Sequence, residues 1–448
     1  MIRLEAIEDR TPFGIAAELS RHVAAGDLAP GERLPTVREV AARLGVSIGT
    51  VSTAWSALSA SGVIVSRGRA GSFVRSRPAE WLSPRVQGLN GDTGNIRLDL
   101  SGGTPDAAML PALDAALPHL AARADTGRYS EVPTLPELEE LLRRSWPQPD
   151  VAALAIVDGA MDGISRTLEQ VVRFGDRVVV ESPGFPYLFD LVEAVHAVPV
   201  PVELDADGIT PESLARALSR GPSALLLQPR AQNPTGVSMT PDRARVLADL
   251  IGRSAGRRPV TVIEDDHSAL ICSAPAVTLG RWLPGSVVHV RSFAKSHGPD
   301  LRIAALGGPA ELVQRIQARR TLGPAWTSRL LQKILYVLLT DPTAIARVQA
   351  ARLIYRDRTD RLAAALRRAG VDVGHPDGFN LWLPVQDQRA ALVRLAASGI
   401  AVAPGAPFIA PGAETTPHVR VTAGMVVSNV RLVAEALADA ASATTPGG

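Results

Sequence analysis

Two lysines, Lys295 and Lys333, stand in a chain of 448 residues in which lysine and arginine together number 47. Because arginine fills nearly every basic position, a retained lysine points to chemistry that a guanidinium cannot perform. A lysine amine that loses its proton in a partly desolvated site can attack an aldehyde and form an imine. For Lys333, which lies in a predicted helix, chance retention in an arginine-biased chain is the simpler explanation. Lys295 is therefore the candidate nucleophile.

Polar segments follow several apolar, strand-like runs of the chain. Continuous runs of this kind predict a mostly parallel sheet buried on both faces, with chemistry at the carboxyl ends of its strands. Taken alone, an acidic segment after a strand is usually a solvated loop, and Asn-Pro-Thr-Gly is often only a turn. The predicted strands are residues 153–157, 177–180, 224–227, 260–263, 287–290 and 303–306, and the polar segments are residues 158–162, 233–236, 264–267 and 292–295.

The composition limits the class of protein. A hydrophobic content of 46% and a charged content of 21% are typical of a globular chain of two or three domains. The single cysteine, Cys272, excludes an internal disulfide and offers no metal-binding spacing. No apolar run reaches membrane-spanning length and the first residues do not resemble a signal peptide, so we expect a cytoplasmic protein. The net charge of +2 is too small to indicate a nucleic-acid partner.

The first 75 residues carry signals of three helices and a hairpin. Thr11 and Pro12 can open a first helix that Gly26 ends, and Thr36 with Glu39 has capping-box spacing for a second helix that ends at Gly45. Ser47 can cap a third helix, which would bury residues 51, 55 and 58 and expose a small, polar face. Residues 63–66 and 72–75 predict two strands joined by a basic, glycine-containing loop. A small polar helix face of this kind suits a DNA major groove.

Residues 28–41, 45–47 and 49–51 resemble the winged helix-turn-helix of GntR-type bacterial transcription regulators. The resemblance covers residues 6–75, so we assign residues 1–75 to a DNA-binding domain. Ile48 departs from the family, which usually has arginine or another polar residue there; it could contact a thymine methyl group. Helix-turn-helix units can also serve as packing modules, and Arg38 could simply lie on a helix surface. The residues that the resemblance implies for DNA binding are Arg38, Ser47, Ile48, Gly49 and Thr50, with Arg67 and Arg69 on the wing.

Residues 76–97 contain scattered proline and glycine without periodicity. This composition predicts a linker, and its length marks a domain boundary. Extended at roughly 3.3 Å per residue, the linker could span several tens of ångströms, so the two halves need not touch rigidly. Residues 98–448 then form a second, effector and dimerisation domain.

The order and spacing of the four polar segments over residues 99–442 resemble the fold-type I pyridoxal-phosphate domain of class I aminotransferases. The resemblance implies an internal aldimine at Lys295, a hydrogen bond from the cofactor's ring nitrogen to Asp265, and donors to the ring hydroxyl from Asn233 and His267. Arg420 would pair with a substrate or effector carboxylate, although an ordinary surface ion pair is the alternative, and Tyr129 could instead be a packing residue. The residues implied for the cofactor phosphate are Gly159, Ala160, Met161, Ser292 and Arg302, together with Tyr129 from the neighbouring subunit.

Three positions depart from the aminotransferase pattern. His267 replaces a tyrosine, and its imidazole could donate the same bond but would titrate near neutral pH. Ala294 removes a hydroxyl just before the lysine, and Met161 replaces a polar residue near the phosphate. These changes favour cofactor binding with at most weak aminotransferase turnover.

A GntR-type reader joined to an aminotransferase-like domain is the arrangement of the MocR regulators, and the resemblance covers nearly the whole chain. It implies a homodimeric, head-to-tail transcription regulator that binds double-stranded operator DNA and pyridoxal 5′-phosphate. The signal would be the vitamer or an amine or amino-acid effector. The alternative functions are an active aminotransferase with a vestigial DNA module, and a regulator whose second domain has lost its cofactor.

Overall fold

The computed structural model describes residues 7–60, 63–66, 70–75, 83–87, 89, 96–114, 116–120, 131–148, 151–254, 259–414 and 416–444. Its helices are α1 (Pro12–Ala25), α2 (Val37–Leu44), α3 (Ile48–Ala60), α4 (Pro84–Gln87), α5 (Pro136–Arg144), α6 (Ala160–Val171), α7 (Pro186–Ala194), α8 (Pro211–Leu218), α9 (Pro241–Ser254), α10 (Ala294–His297), α11 (Ala310–Thr321), α12 (Arg329–Thr340), α13 (Pro342–Arg368), α14 (Gln388–Ala397) and α15 (Val430–Ala441). Its strands are β1 (Ile64–Ser66), β2 (Ser72–Val74), β3 (Leu98–Leu100), β4 (Ala153–Val157), β5 (Arg177–Ser182), β6 (Val198–Asp205), β7 (Gly208–Ile209), β8 (Ala224–Leu227), β9 (Thr261–Asp266), β10 (Val287–Ser292), β11 (Ala304–Gly308), β12 (Leu381–Pro384), β13 (Ile400–Pro404) and β14 (His418–Val421).

The N-terminal domain is the predicted three-helix unit with an antiparallel hairpin, β1 and β2. The capping box is present, since the Glu39 carboxylate accepts from the Thr36 amide at 2.7 Å and the Thr36 hydroxyl from the Glu39 amide at 3.3 Å. Gly45 ends α2 in the left-handed region, at φ 66°. Val51 and Leu58 are fully buried and Trp55 nearly so, which confirms the predicted inner face of α3.

Residues 153–308 build the eight-stranded sheet, in the order β4-β11-β10-β9-β8-β5-β6-β7. Neighbours from β10 to β6 are parallel, whereas β11 runs antiparallel to both β10 and β4. The strand interiors are buried because helices cover both faces. The mostly parallel sheet is thus confirmed, and β4, β8, β9 and β10 end at one edge.

A second sheet of order β12-β14-β13-β3 joins the segment after the linker to the C-terminal part of the chain. Helices α13, α14 and α15 pack on it around a separate apolar core. This unit carries Arg420 on β14. In the described residues, no helix is long and apolar enough to cross a bilayer.

The N-terminal domain and the larger one touch at one turn. Phe174 packs against the N-terminal core. A Cβ at Gly175 would lie 3.1 Å from the ring of Phe13 on α1. Part of the linker is also docked, because α4 lies against α7. The described part of the linker is therefore in contact with the larger domain, in contrast to a fully detached tether.

Candidate ligand-binding site

A cavity of about 400 Å³ opens at the shared carboxyl edge of β4, β8, β9 and β10. Tyr129 lies outside the described residues. The predicted cofactor and carboxylate residues that the structure describes all line this cavity: Gly159, Ala160, Met161, Asn233, Asp265, His267, Ser292, Lys295, Arg302 and Arg420.

Lys295 projects into the cavity from the short helix α10, directly after β10. Its Nζ donates to the Gly103 carbonyl at 2.7 Å and lies 5.6 Å from the centroid of the Phe379 ring. Burial and the nearby Arg420 guanidinium lower the pKa of the Lys295 amine to about 8, while Asp265 acts in the opposite direction. The amine can therefore lose its proton far more readily than an exposed lysine.

The three consecutive carboxylates of β9 point to different surroundings because side chains alternate along a strand. Asp266 pairs with Arg230 at 2.5 Å, and Glu264 accepts from His289 at 2.8 Å. Asp265 instead faces the cavity. Burial raises the pKa of Asp265 to about 6, and its Oδ1 is buried without a hydrogen-bond partner in the described structure. This arrangement leaves one carboxylate oxygen of a cavity-lining residue without a hydrogen-bond donor.

Gln228 contacts Asp265 directly, and Glu181 contacts Gln228. No sequence motif marks either residue as functional. Gln228 Nε2 donates to Asp265 Oδ2 at 2.8 Å, and Gln228 Oε1 accepts from the Asn233 amide at 2.8 Å. The Gln228 amide in turn donates to Glu181 Oε2 at 3.0 Å. Burial raises the pKa of Glu181 to about 8, so its carboxyl is mostly protonated at neutral pH.

One end of the cavity is built to hold an anion. The Ala160 and Met161 amides stand in the first turn of α6, where backbone N–H groups are unpaired within the helix, whereas the Gly159 amide donates to the Val157 carbonyl at 2.9 Å. Gly159 has φ 93°, and a Cβ there would lie 2.9 Å from Arg302 Nη2, so the backbone and the guanidinium approach closely only because the residue is glycine. Among the described residues, Arg302 forms no ion pair, and Ser292 is also a lining residue of the cavity.

Arg420 and Asn233 face the cavity from the two sheets. Arg420 donates to the Ser101 carbonyl and, at 3.4 Å, to Asn233 Oδ1. With its carbonyl oxygen accepting from Arg420, Asn233 keeps its side-chain NH2 group as a donor in the cavity wall. Burial lowers the pKa of Arg420 to about 10, and its Nε has no hydrogen-bond partner in the part of the chain described. An incoming carboxylate would find a desolvated guanidinium.

His267 differs from the expectation. Its Nε2 donates to the Ala231 carbonyl at 3.0 Å, and Ser268 Oγ lies 3.2 Å from its Nδ1. Burial lowers the pKa of His267 to about 4, with the Lys295 charge acting in the same direction. The expectation of titration near neutral pH is therefore wrong: the imidazole stays neutral, and its N–H is used by the backbone.

Phe185 and Tyr187 were also missed at the level of sequence. Both line the cavity, and their rings lie 5.3 Å apart. Phe185 caps α7, whose first residue is Pro186. The motif Gly184-Phe185-Pro186-Tyr187, placed directly after β5, was the available signal. A flat ring at this position can stack on a planar heteroaromatic ligand.

The predicted DNA-reading surface lies on α2 and α3. Arg38, Ser47, Ile48 and Gly49 are exposed and Thr50 is half-buried, with Ile48 exposing 56% of its surface. Ser47 Oγ accepts from the Thr50 amide at 3.0 Å and bonds the Thr50 hydroxyl at 2.8 Å, so both side chains fix the start of α3. Arg67 and Arg69 lie outside the described residues.

Comparisons with known proteins agree with both halves of this description. Residues 95–437 match the family aminotransferase class I and II, and residues 14–74 match the bacterial regulatory proteins of the gntR family. The chain is 36% identical over 411 residues to the vitamin B6 salvage pathway transcriptional repressor PtsJ of Salmonella typhimurium, covering 90% of this chain and 92% of that protein. It is 28% identical over 436 residues to the HTH-type transcriptional regulator TauR of Rhodobacter capsulatus, covering 88% of each.

Solved structures show the same fold in the larger domain. LysN, the alpha-aminoadipate aminotransferase of Thermus thermophilus, superposes with a TM-score of 0.67 at 21% identity over 80% of this chain and 97% of that one. The predicted two-domain fold class is confirmed by these matches. The chain belongs to the MocR subfamily of GntR-type transcription regulators, with a gntR-family DNA-binding domain followed by a class I and II aminotransferase domain.

Proposed function

We propose that this regulator binds pyridoxal 5′-phosphate in the cavity and uses Lys295 as its point of covalent attachment. The observation that carries the proposal is Oδ1 of the cavity-lining Asp265, which is buried and accepts no hydrogen bond from the described residues. A protonated ring nitrogen would supply that donor and would favour the ionised carboxylate. When bound, pyridoxal phosphate supplies an electrophilic carbonyl and an electron-withdrawing ring.

The remaining residues suit the other parts of such a molecule. The amides at the start of α6, with Arg302 and Ser292, would hold the phosphate dianion. Phe185 would cover the ring, and the Asn233 amide would donate to the ring hydroxyl. Because His267 already donates to Ala231, we assign it to the wall of the site and no longer to the hydroxyl.

The proposed signal is the vitamer itself or an amine-bearing effector with a carboxylate for Arg420. Such an effector would release the Lys295 nitrogen and add a contact at Arg420 that the cofactor alone does not make. A ligand shifts a conformational equilibrium only by the difference in its affinity for the two states. The name of the relative PtsJ, a repressor of vitamin B6 salvage, supports a vitamer-linked response.

The proposed DNA contacts are Arg38 and the exposed start of α3, together with Arg67 and Arg69, which lie outside the described residues. We further propose a head-to-tail homodimer in which Tyr129 reaches the neighbouring subunit's phosphate site. The exposure of Arg38 and Ile48 supports the DNA assignment, because base and phosphate contacts need free side chains.

The cofactor assignment is tested on full-length protein with pyridoxal phosphate. Wild type and Lys333→Ala should acquire the same visible absorbance band, whereas Lys295→Ala should not. Lys333 is the matched control, since it is the chain's other lysine and pairs with Glu137 on the protein surface. An unchanged spectrum in Lys295→Ala would remove Lys295 from the proposal. Steady amino transfer to a keto acid without sequence-preferring DNA binding would favour the aminotransferase alternative.

The DNA assignment is tested with fragments that flank the gene. Arg38→Ala should weaken binding by about 1–3 kcal/mol if Arg38 contacts a base, or mainly reduce the salt dependence if it contacts phosphate. Arg431→Ala removes the same charge from α15 and serves as the control. An effect of equal size in the two variants would refute a specific role for Arg38.

A further inference from the structure

The linker takes part in the ligand cavity. Val86 on α4 and Leu89 just after it are buried and line the cavity that holds Lys295 and Asp265. They pack with Phe408 and Ala403 in one apolar cluster. A segment that merely connects two domains has no need to bury apolar side chains in a ligand site.

A polar clip fixes this segment to α7. Arg85 donates to Asp190 Oδ1 at 2.5 Å and to Glu193 Oε1 at 2.9 Å, and Ser83 Oγ donates to Asp190 Oδ2 at 2.5 Å. All of these contacts are partly buried, with about a fifth of the Arg85 side chain exposed. The cavity residues Phe185 and Tyr187 are the cap and a first-turn residue of the same helix. The clip therefore fastens the linker to an element that shapes the ligand site.

The Phe408 ring lies between the linker and Arg420, the proposed carboxylate contact. The Arg420 guanidinium lies 5.0 Å from the centroid of the Phe408 ring, and Phe408 packs with Val86 and Leu89. A ligand whose carboxylate pairs with Arg420 thus has an apolar wall from the linker within reach. A glycine-sized ligand would leave that wall without contact.

We propose that Val86 and Leu89 form an effector-reading wall that prefers an amino acid with an apolar side chain, and that the Arg85 clip holds this wall in place. The proposal rests on the proposed function, because it assigns part of the effector site. It also connects the ligand cavity to the DNA-binding domain through the linker. If Val86 and Leu89 leave the cavity and Arg85 leaves α7, the tether between the domains lengthens by up to about 20 Å at roughly 3.3 Å per residue.

The test uses stable adducts of the cofactor, N-(5′-phosphopyridoxyl)-L-leucine and N-(5′-phosphopyridoxyl)glycine, added to full-length protein. Wild type should bind the leucine adduct roughly tenfold more tightly than the glycine adduct, as expected for a small apolar group in a fitted pocket. In Arg85→Gln, and in the double variant Val86→Ala with Leu89→Ala, the ratio of the two affinities should fall toward one. Arg97→Gln is the control: it removes the same charge from the same linker, where the Arg97 guanidinium donates to the Ser398 carbonyl at 3.0 Å.

A second readout does not depend on affinity. Thermolysin cleavage within residues 83–89 should slow when the leucine adduct is present and should be fast in Arg85→Gln. Equal binding of both adducts by wild type, or an unchanged preference in both the clip and the wall variants, would overturn this inference and leave the cofactor proposal standing. Failure of wild type to bind either adduct or pyridoxal phosphate would overturn both.

Discussion

Lys295 should react with pyridoxal phosphate at neutral pH far more readily than an ordinary lysine does. Burial, and then the Arg420 charge, lower the pKa of its amine from 10.5 to about 8. At pH 7 about a tenth of the Lys295 amine is then deprotonated, compared with about one part in three thousand for an amine of pKa 10.5, a gain of roughly 300-fold. Because a less basic amine is also a weaker nucleophile, the midpoint of the pH profile tests this reasoning better than the absolute rate.

The assay follows the visible band after mixing protein with excess pyridoxal phosphate between pH 7 and pH 10.5. The same measurement with Nα-acetyl-lysine corrects for ionisation of the reagent. The wild-type rate should rise with a midpoint near 8 and then level off. Arg420→Met should move the midpoint upward, because a repelling charge is gone, but burial should keep it below 10.5. A wild-type midpoint at 10.5, or a downward move in Arg420→Met, would refute the account.

Further predictions concern the proposed phosphate site, the proposed contact with the cofactor's ring nitrogen, the core of the DNA-binding domain and the buried Glu181. Gly159→Ala should weaken pyridoxal phosphate at least tenfold but leave phosphate-free pyridoxal nearly unaffected in equilibrium titrations, since an alanine Cβ would crowd Arg302; equal losses for both ligands would contradict this. Asp265→Asn should weaken pyridoxal phosphate by about 2 kcal/mol, as for a hydrogen bond to a charged group, measured by equilibrium dialysis. Leu58→Ala should lower the stability of the N-terminal domain by about 2–5 kcal/mol, because Leu58 is fully buried, and the loss should be seen as faster hydrogen exchange of α3 amides. Glu181 has a folded pKa of about 8 against 4.5, so its contribution to stability is present at low pH and is lost as pH rises from about 4.5 to 8; Glu181→Gln should flatten that part of the urea-stability profile, and an unaltered profile would show that Glu181 is ionised.

Sequence patterns located most of the fold and most of the cavity. The apolar runs at 153–157 and 224–227 coincide with β4 and β8, and the other predicted strands differ from the structure by a few residues at their ends. Once the strands are parallel, their carboxyl ends must meet at one edge, which brings Asp265 and Lys295 together although 30 positions separate them.

The parts that sequence could not supply depend on tertiary contacts. Gln228 and Glu181 look like ordinary strand-end residues until the parallel pairing of β5 and β8 places them behind Asp265. The neutral state of His267 follows from its burial and from the nearby Lys295 charge, neither of which the sequence encodes locally. Docking of the linker depends on Asp190 and Glu193, more than a hundred positions away from Arg85.

The charges around Lys295 link effector binding to the chemistry of the lysine itself. The Arg420 guanidinium lowers the pKa of the Lys295 amine while Asp265 raises it. An effector carboxylate paired with Arg420 would cancel most of that repulsion, and the released amine would regain a proton more easily. A protonated amine is not a nucleophile, so the bound effector would delay reattachment of Lys295. Because such coupling is reciprocal, any condition that protonates Lys295 must also strengthen binding of a carboxylated effector to the same degree. An amine without a carboxylate would lack this second effect, and the difference between two otherwise matched amines measures how far Arg420 contributes to the response.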